Sequence, residues 1–279
     1  MAIGKTDFRE HGRRLSPVLS KIILQSEEEN LHILTPNDFV NYYSCSHSYA
    51  RKMIAELVDN GWLLRVGPGE YQLLSAKTGL DPYPTLDKFV LAGQLSPNGF
   101  IAFGSAAEYH GLTNQLFQTV TVATLKRTSV RDAPPVRIEY IHIKKENFVG
   151  VAKSTKAPNM MVADIDRTLI DSILRPELCG GISDVLEIYR RGRSRINLSK
   201  VLEYLPTYGS KSLVQRVAYM IELVGVKLST EHETALQNMS SGNVAYLFSR
   251  RKFGEAPSSS YSNKWRLAIN APGFLNDDK

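Results

Sequence analysis

The chain has 279 residues, 43% of them apolar and 22% charged, which is long enough for two domains and apolar enough to bury real cores. No stretch approaches the ~18 apolar residues of a membrane span, and the opening MAIGKTDFREHGRR has no apolar run of the kind a secretory leader needs, so a cytoplasmic protein is expected. Cys45 and Cys179 are too few and too far apart for a disulfide framework or a zinc cluster, and the net charge of +6 favours a polyanionic partner.

The first eighty residues alternate helix and turn signals. Ser16-Pro17 starts a helix, with proline at the first helical position and Val18, Ile22 and Ile23 as its apolar face. Glu27, Glu28 and Glu29 read as a loop after it. TPNDFVNYY repeats the start signal, with Thr35 as N-cap, Pro36 first in the helix and Asp38 near the positive end of the helix dipole. Ser46 caps a third helix whose core face is Ala50, Met53, Ile54 and Leu57, and Asn60-Gly61 ends it in a left-handed cap. WLLRV and YQLL then flank a Pro-Gly turn as a β-hairpin.

That order is the order of a winged helix-turn-helix, whose third helix enters the major groove of DNA. With the four core residues inward, His47, Ser48, Arg51, Lys52 and Ala55 face outward, where bases and phosphates are met. Arg65 in the wing, with Arg13 and Arg14 ahead of the first helix, adds phosphate contacts. Residues 1–80 hold nine Lys+Arg against nine Asp+Glu, so phosphate contact must rest on one locally basic face. A winged helix that docks only protein stays open as an alternative.

SAKTGLDPYPTLDK, residues 75–88, has Gly and Pro without helical period and sets the expected boundary between a domain of 1–78 and one of 79–279. In GFIAFGSAAEYHGLT a buried strand runs over Phe100 to Phe103, Gly104-Ser105 turns into a short helix, and His110-Gly111 stops it. QTVTVATL, VRIEYIHIK, FVGVAKS and NMMVAD read as extended chain, so a small sheet with helices occupies about 85–165. From 166 to 279 the pattern turns helical: DIDRTLIDSIL, GISDVLEIYRR, NLSKVLEYLPTYG and KSLVQRVAYMIELVG are amphipathic, and KWRLAINAP is a last strand after a Ser- and Pro-rich loop. The fold class expected is α+β.

MMVADIDRTLIDS, residues 160–172, raises a catalytic alternative. An Asp-x-Asp-x-Thr-Leu string after a buried strand matches the first motif of haloacid-dehalogenase-like phosphatases, with Asp164 as nucleophile, Asp166 as proton-transfer acid and magnesium seated between them. The rest of such a site is missing from the sequence: no apolar strand after residue 172 ends in a Gly-Asp pair, and Asp184, Glu187 and Glu203 lie on helical runs, with Asn276-Asp277-Asp278 at the end. The same residues serve as a helix start, Asp164 or Asp166 capping and Arg167 pairing with Asp171 at i+4 or with another acidic neighbour. His110 beside Gly111 reads as a cap or packed side chain, and neither a catalytic residue nor a cofactor or metal is assigned. Residues 190–216 gather seven basic side chains against the single acid Glu203, and Arg190, Arg191, Arg193 and Arg195 form a second candidate polyanion patch or simply a solvated helix end.

SAAEYHGLTNQ, TVTVATLKR, VADIDRTLIDSILRPELCGG, LPTYGSKSLVQRVAYMIELVG and NKWRLAINAP, in that order, resemble the AbiEi-type antitoxins of toxin-antitoxin and abortive-infection systems, which act in phage defence. The resemblance implies a winged helix-turn-helix domain followed by a larger α/β antitoxin domain. It implies a transcriptional repressor of its own operon that binds double-stranded operator DNA; binding to repeated sites is expected to be cooperative, and the oligomeric state off DNA is left open, with a monomer allowed. It also implies that the chain counteracts a nucleotidyltransferase-like toxin, directly or indirectly, and that VADIDRTLID is scaffold. Members usually carry a plainly basic recognition face, whereas here that face rests on Arg51, Lys52 and Arg65.

Overall fold

The computed structural model describes residues 12–156, 160–240, 242–249 and 260–271. Among them the chain is α+β, with ten α-helices and three sheets, of which the six-stranded one and the small one formed by the last strands are mixed. It divides into two compact units, one reaching to Leu95 and taking in Val130–Ile138, the other made of Ser96–Ser129 and the chain from Glu139 onward. The first unit is therefore longer than 1–78, and it recovers a piece of chain from beyond the expected linker.

In the first unit, α1 (Pro17–Glu28) begins where Ser16 Oγ accepts Leu19 N–H and ends where Asn30 turns left-handed, φ 54°, so that Leu31 N–H reaches Ser26 O at 2.8 Å. Glu27 and Glu28 thus belong to the helix and not to a loop, because the chain is not released until Asn30. Its buried face is Leu19, Ile22, Ile23 and Ser26; Val18 is 52% exposed, a register correction to the expected apolar face. After the two-residue strand β1 (Ile33–Leu34), the carboxylate of Asp38 accepts from Thr35 N–H at 2.6 Å and starts α2 (Pro36–Tyr43). Ser44 takes the left-handed conformation, which leaves a three-residue turn before α3 (His47–Asp59). Ala50, Met53, Ile54 and Leu57 are its buried residues, as expected, and Gly61 at φ 71° supplies the left-handed residue that lets Trp62 N–H close on Leu57 O. β2 (Leu63–Gly67) and β3 (Glu70–Leu73) form the hairpin, and β1 adds to it antiparallel in the order β1-β3-β2. One apolar cluster, centred on Ile23, Leu34, Phe39, Ile54 and Leu63, joins all of these elements, each fully buried side chain contributing about 1.5–3 kcal/mol. α4 (Lys88–Gln94), capped by Asp87, completes the unit after the linker.

In the second unit, β4 (Gly99–Ile101) is followed by α5 (Phe103–Tyr109), so the strand stops sooner than expected and Gly104 is already helical. A helix there is close to other backbone: a Cβ on Gly104 would stand 2.5 Å from Leu178 O. β5 (Thr119–Thr124), β8 (Val151–Lys153) and β9 (Met161–Ala163) follow in this unit; β6 (Arg131–Ala133) and the start of β7 (Val136–His142) are counted with the first unit, and the sheet order is β6-β7-β5-β4-β9-β8. β4 and β9 are parallel at Ile101 and Val162; β8 runs antiparallel to β9 at the edge. The helices α6 (Ile165–Leu174), α7 (Ile182–Gly192), α8 (Leu198–Tyr204), α9 (Lys211–Leu223) and α10 (Thr230–Met239) follow. The last strand shrinks to β12 (Leu267–Ala268), between β10 (Ala245–Tyr246) and β11 (Tyr261–Ser262). The Ser- and Pro-rich loop lies largely, and Asn276-Asp277-Asp278 entirely, outside the described residues.

α6 is buried from Asp166 to Ile173 and packs against α5, α7, α8 and α9. Arg167, 1% exposed, donates from Nε to Asp171 Oδ2 at 3.0 Å, from Nη1 to the carbonyls of Asn147 and Val149, and lies 4.6 Å from the Phe100 ring centroid. Tyr208 donates to the other Asp171 oxygen at 2.7 Å. Breaking such a pair strands a charge in the core, which costs about 3–5 kcal/mol. Urea unfolding of Arg167→Ala should therefore lose stability on that order, and an unchanged midpoint would show that α6 does not depend on the pair.

Candidate functional site

The outward face of α3 is set by what the helix buries. With Ala50, Met53, Ile54 and Leu57 in the core, His47, Ser48, Arg51, Lys52 and Ala55 are all exposed. The acids Glu56 and Asp59 are exposed on the second half of the same helix, so only its first turns suit a polyanion. Tyr49, 52% exposed, stands in that first turn and was not singled out from the sequence. Arg65 on β2 is exposed, with Nε donating to Gly67 O at 3.3 Å. Arg14 is exposed as well, while its carbonyl accepts from Trp62 Nε1 at 3.0 Å.

Arg13 has a different use from the phosphate contact expected of it. Nη2 donates to Leu74 O at 2.8 Å and Nη1 to Ser75 O at 3.0 Å and Thr78 Oγ1 at 3.2 Å, and the guanidinium lies 3.9 Å from the centre of the Trp62 ring. Burial lowers its pKa, with Glu27 pulling the other way. Arg13 thus ties the chain before α1 to the chain after β3, a contact between residues more than sixty apart that no local pattern announces.

Asp164 is the N-cap of α6, accepting Arg167 N–H at 2.9 Å on Oδ1; Asp166 is not the cap. It also follows β9 directly, at the carboxyl end of a strand parallel to β4. Its Oδ2 accepts from Tyr204 at 2.9 Å and Lys200 Nζ at 3.1 Å. Asp166 turns to another donor, Asn197 N–H at 2.7 Å, and burial raises its pKa while that hydrogen bond works against the rise. Among the described residues no group of three His, Cys, Asp or Glu side chains is placed to share a metal ion. Lys200, Tyr204 and Asn197 come from thirty or more residues downstream, which is why the sequence did not bring them to the aspartates.

His110 is the C-cap of α5, its Nε2 2.6 Å from Ala163 O. Burial lowers its pKa and Arg195 adds to this, while the Ala163 carbonyl and Asp164 oppose it. The four arginines of the second patch differ in availability. Arg190 and Arg193 are exposed, Arg191 pairs with Glu187 at 2.5 Å, and Arg195 spends both Nη atoms on His110 O at 3.1 and 3.2 Å. Arg216 is likewise committed, its Nε donating to Tyr246 O at 2.8 Å.

No protein-family profile and no curated protein matches the chain. Among solved structures, the crystal structure of the RV2827C protein from Mycobacterium tuberculosis is similar, with a TM-score of 0.65 at 15% identity over 91% of this chain and 92% of that one. The likeness is one of fold. No helix among the described residues is long and apolar enough to cross a membrane.

Two outcomes follow from these contacts. Arg13→Ala should lower stability, since it removes the clamp under Trp62, while leaving the salt dependence of any DNA binding unchanged; a changed salt slope would return Arg13 to the phosphate contacts. For His110 the folded pKa lies below the ordinary 6.5, so the unfolded chain binds more protons in the window beneath it and stability falls as pH drops through that window. His32, also lowered by burial, acts in the same direction. Urea midpoints taken on either side of about pH 6.5 should therefore converge in His110→Gln without becoming equal, and an undiminished pH dependence would clear His110 of this role.

Proposed function

We propose that the chain is an antitoxin and transcriptional autorepressor of the AbiEi type, with its first unit acting as a winged helix-turn-helix on operator DNA. One observation carries the reading: α3 buries one face on α1, α2 and the hairpin and presents His47, Ser48, Arg51 and Lys52 on its first turns. A recognition helix meets bases with its N-terminal residues, and the acids at Glu56 and Asp59 would then lie toward the end that leaves the groove. Arg65 and Arg14 flank this face as phosphate contacts. The neutral charge of the region is no obstacle, because phosphate contact depends on the charges within a Debye length of the backbone. The sequence resemblance supplies the remaining roles: repression of its own operon and neutralisation of a nucleotidyltransferase-like toxin.

The magnesium phosphatase draws support from one feature, the place of Asp164 after a strand parallel to β4. It is the weaker reading. Asp164 and Asp166 are each engaged by donors from the α7–α8 region, and among the described residues no group of three His, Cys, Asp or Glu side chains is placed to hold magnesium.

Gel shifts with DNA from upstream of the coding sequence test the reading. Arg51→Ala should weaken binding by about 1–3 kcal/mol at sites containing its preferred base and relax specificity there, whereas Arg65→Ala should weaken all sequences alike. Absence of any shift at low salt would leave a protein-docking module. For the second patch, Arg190→Ala with Arg193→Ala should lower the slope of log affinity against log salt by about 0.9 per phosphate lost if these side chains also grip DNA; an unchanged slope makes them a solvated helix end.

A further inference from the structure

The wing is held by a residue that enters it from far along the chain. β2 has a register shift between Arg65 and Gly67. Gly67 is not one of the glycines with left-handed backbone, so conformational freedom is not what places a glycine there. Space is. A Cβ at Gly67 would collide with Arg131 Nη2 and stand 2.7 Å from Glu70 Oε2. Through that notch Arg131, the first residue of β6, pairs with Glu70, the first residue of β3, and its Nη1 reaches Leu95 O at 3.4 Å. The two side chains are only 20% and 30% exposed, so solvent and salt screen the pair less than a surface one. β6 packs along β2 at this point, and this short hairpin segment is grouped with the first unit although the chain on either side of it belongs to the second.

The geometry points to Arg131 as a positioning residue for nucleic-acid binding: with Glu70 and the notch at Gly67 it clamps the β2–β3 hairpin so that Arg65 is presented in a fixed place. This rests on the DNA-binding reading above. Arg131 is committed to Glu70 and Leu95 and is not itself a phosphate contact. Arg65 is two residues from the notch and leans on it, through its Nε bond to Gly67 O.

The experiment is a salt series on one operator fragment with the full chain and its Arg131→Ala, Arg65→Ala, doubly substituted, Gly67→Ala and Arg131→Lys variants, beside hydrogen exchange of each free protein. Arg131→Ala should lower affinity about tenfold, the size of coupling seen within one contact network, and lower the salt slope by the same single phosphate contact as Arg65→Ala. Arg65→Ala should lower the slope by about 0.9. The double variant should be little weaker than Arg131→Ala alone, because a loosened wing has already lost the contact. Gly67→Ala should behave like Arg131→Ala, since the added methyl evicts a flexible side-chain end, and Arg131→Lys should keep part of the affinity by still reaching Glu70. Amides of β2 and β3 should exchange faster in Arg131→Ala and Gly67→Ala while those of α3 do not, which separates a loosened wing from a lost fold. Wild-type affinity in Arg131→Ala, an unchanged slope in it, or affinity or slope losses that add with those of Arg65→Ala would overturn the clamp and leave DNA binding standing. If the unsubstituted chain shifts no DNA at low salt, the functional reading fails, and this positioning role with it.

Discussion

A charge sealed in a protein core has to be answered by other groups, and around Arg167 the second unit is arranged to do so. The guanidinium and its partner Asp171 are each 1% exposed. Helix α6, which carries both, is buried on nearly every side. A helix with that burial would ordinarily be apolar all round; this one holds Asp166, Arg167, Thr168, Asp171 and Ser172. Each polar group is met: Thr168 bonds back to Asp164 O, Ser172 to Leu169 O, Asp166 takes Asn197 N–H, and Tyr208 closes on Asp171. The loop before β8, the sheet through Phe100, and the turn that follows α8 are thereby fixed to one helix. Hydrophobic residues of the same size would pack there without such partners, so the polar network favours one arrangement of these segments over others that bury as much area.

The same economy of partners explains the aspartate string. An Asp at the end of a strand and the start of a helix is suited both to nucleophilic chemistry and to capping, because both uses want a carboxylate where backbone N–H groups are unpaired. What separates them is the company the carboxylate keeps. Asp164 meets Tyr204, Lys200 and a helix N–H, which together hold it as a cap and pull its negative charge toward donors of α8. Lys200 in turn has its pKa raised by that hydrogen bond.

The first unit depends on a different kind of constraint, the tight turns that separate its helices. Left-handed residues at Asn30, Ser44 and Gly61 end α1, α2 and α3, and each sends the chain back over the cluster around Phe39 and Ile54. The exposed face of α3 is a by-product of that packing: once four positions are inward, Arg51 and Lys52 have no choice but solvent. Arg13 and Arg131 then brace the hairpin from opposite directions in sequence, one from before α1 and one from β6.

By itself the sequence determined the local starts and stops. Ser16, Thr35 and Ser46 before helices, Gly61 and Gly111 after them, the hairpin over Pro68-Gly69, and the i+4 pair of Arg167 with Asp171 were all readable, because each rests on backbone preferences or contacts within a few residues. The buried face of α3 was legible for the same reason, since periodicity alone assigns it. What only the tertiary structure decided was the destination of long polar side chains. Arg13 went to Leu74 and Ser75, Arg195 to His110, Lys200 to Asp164 and Arg131 to Glu70. A long flexible cation has many acceptors within reach in an unfolded chain, and no spacing marks which one folding will bring to it, so the division of this chain's basic residues into braces and free charges is a property of the fold.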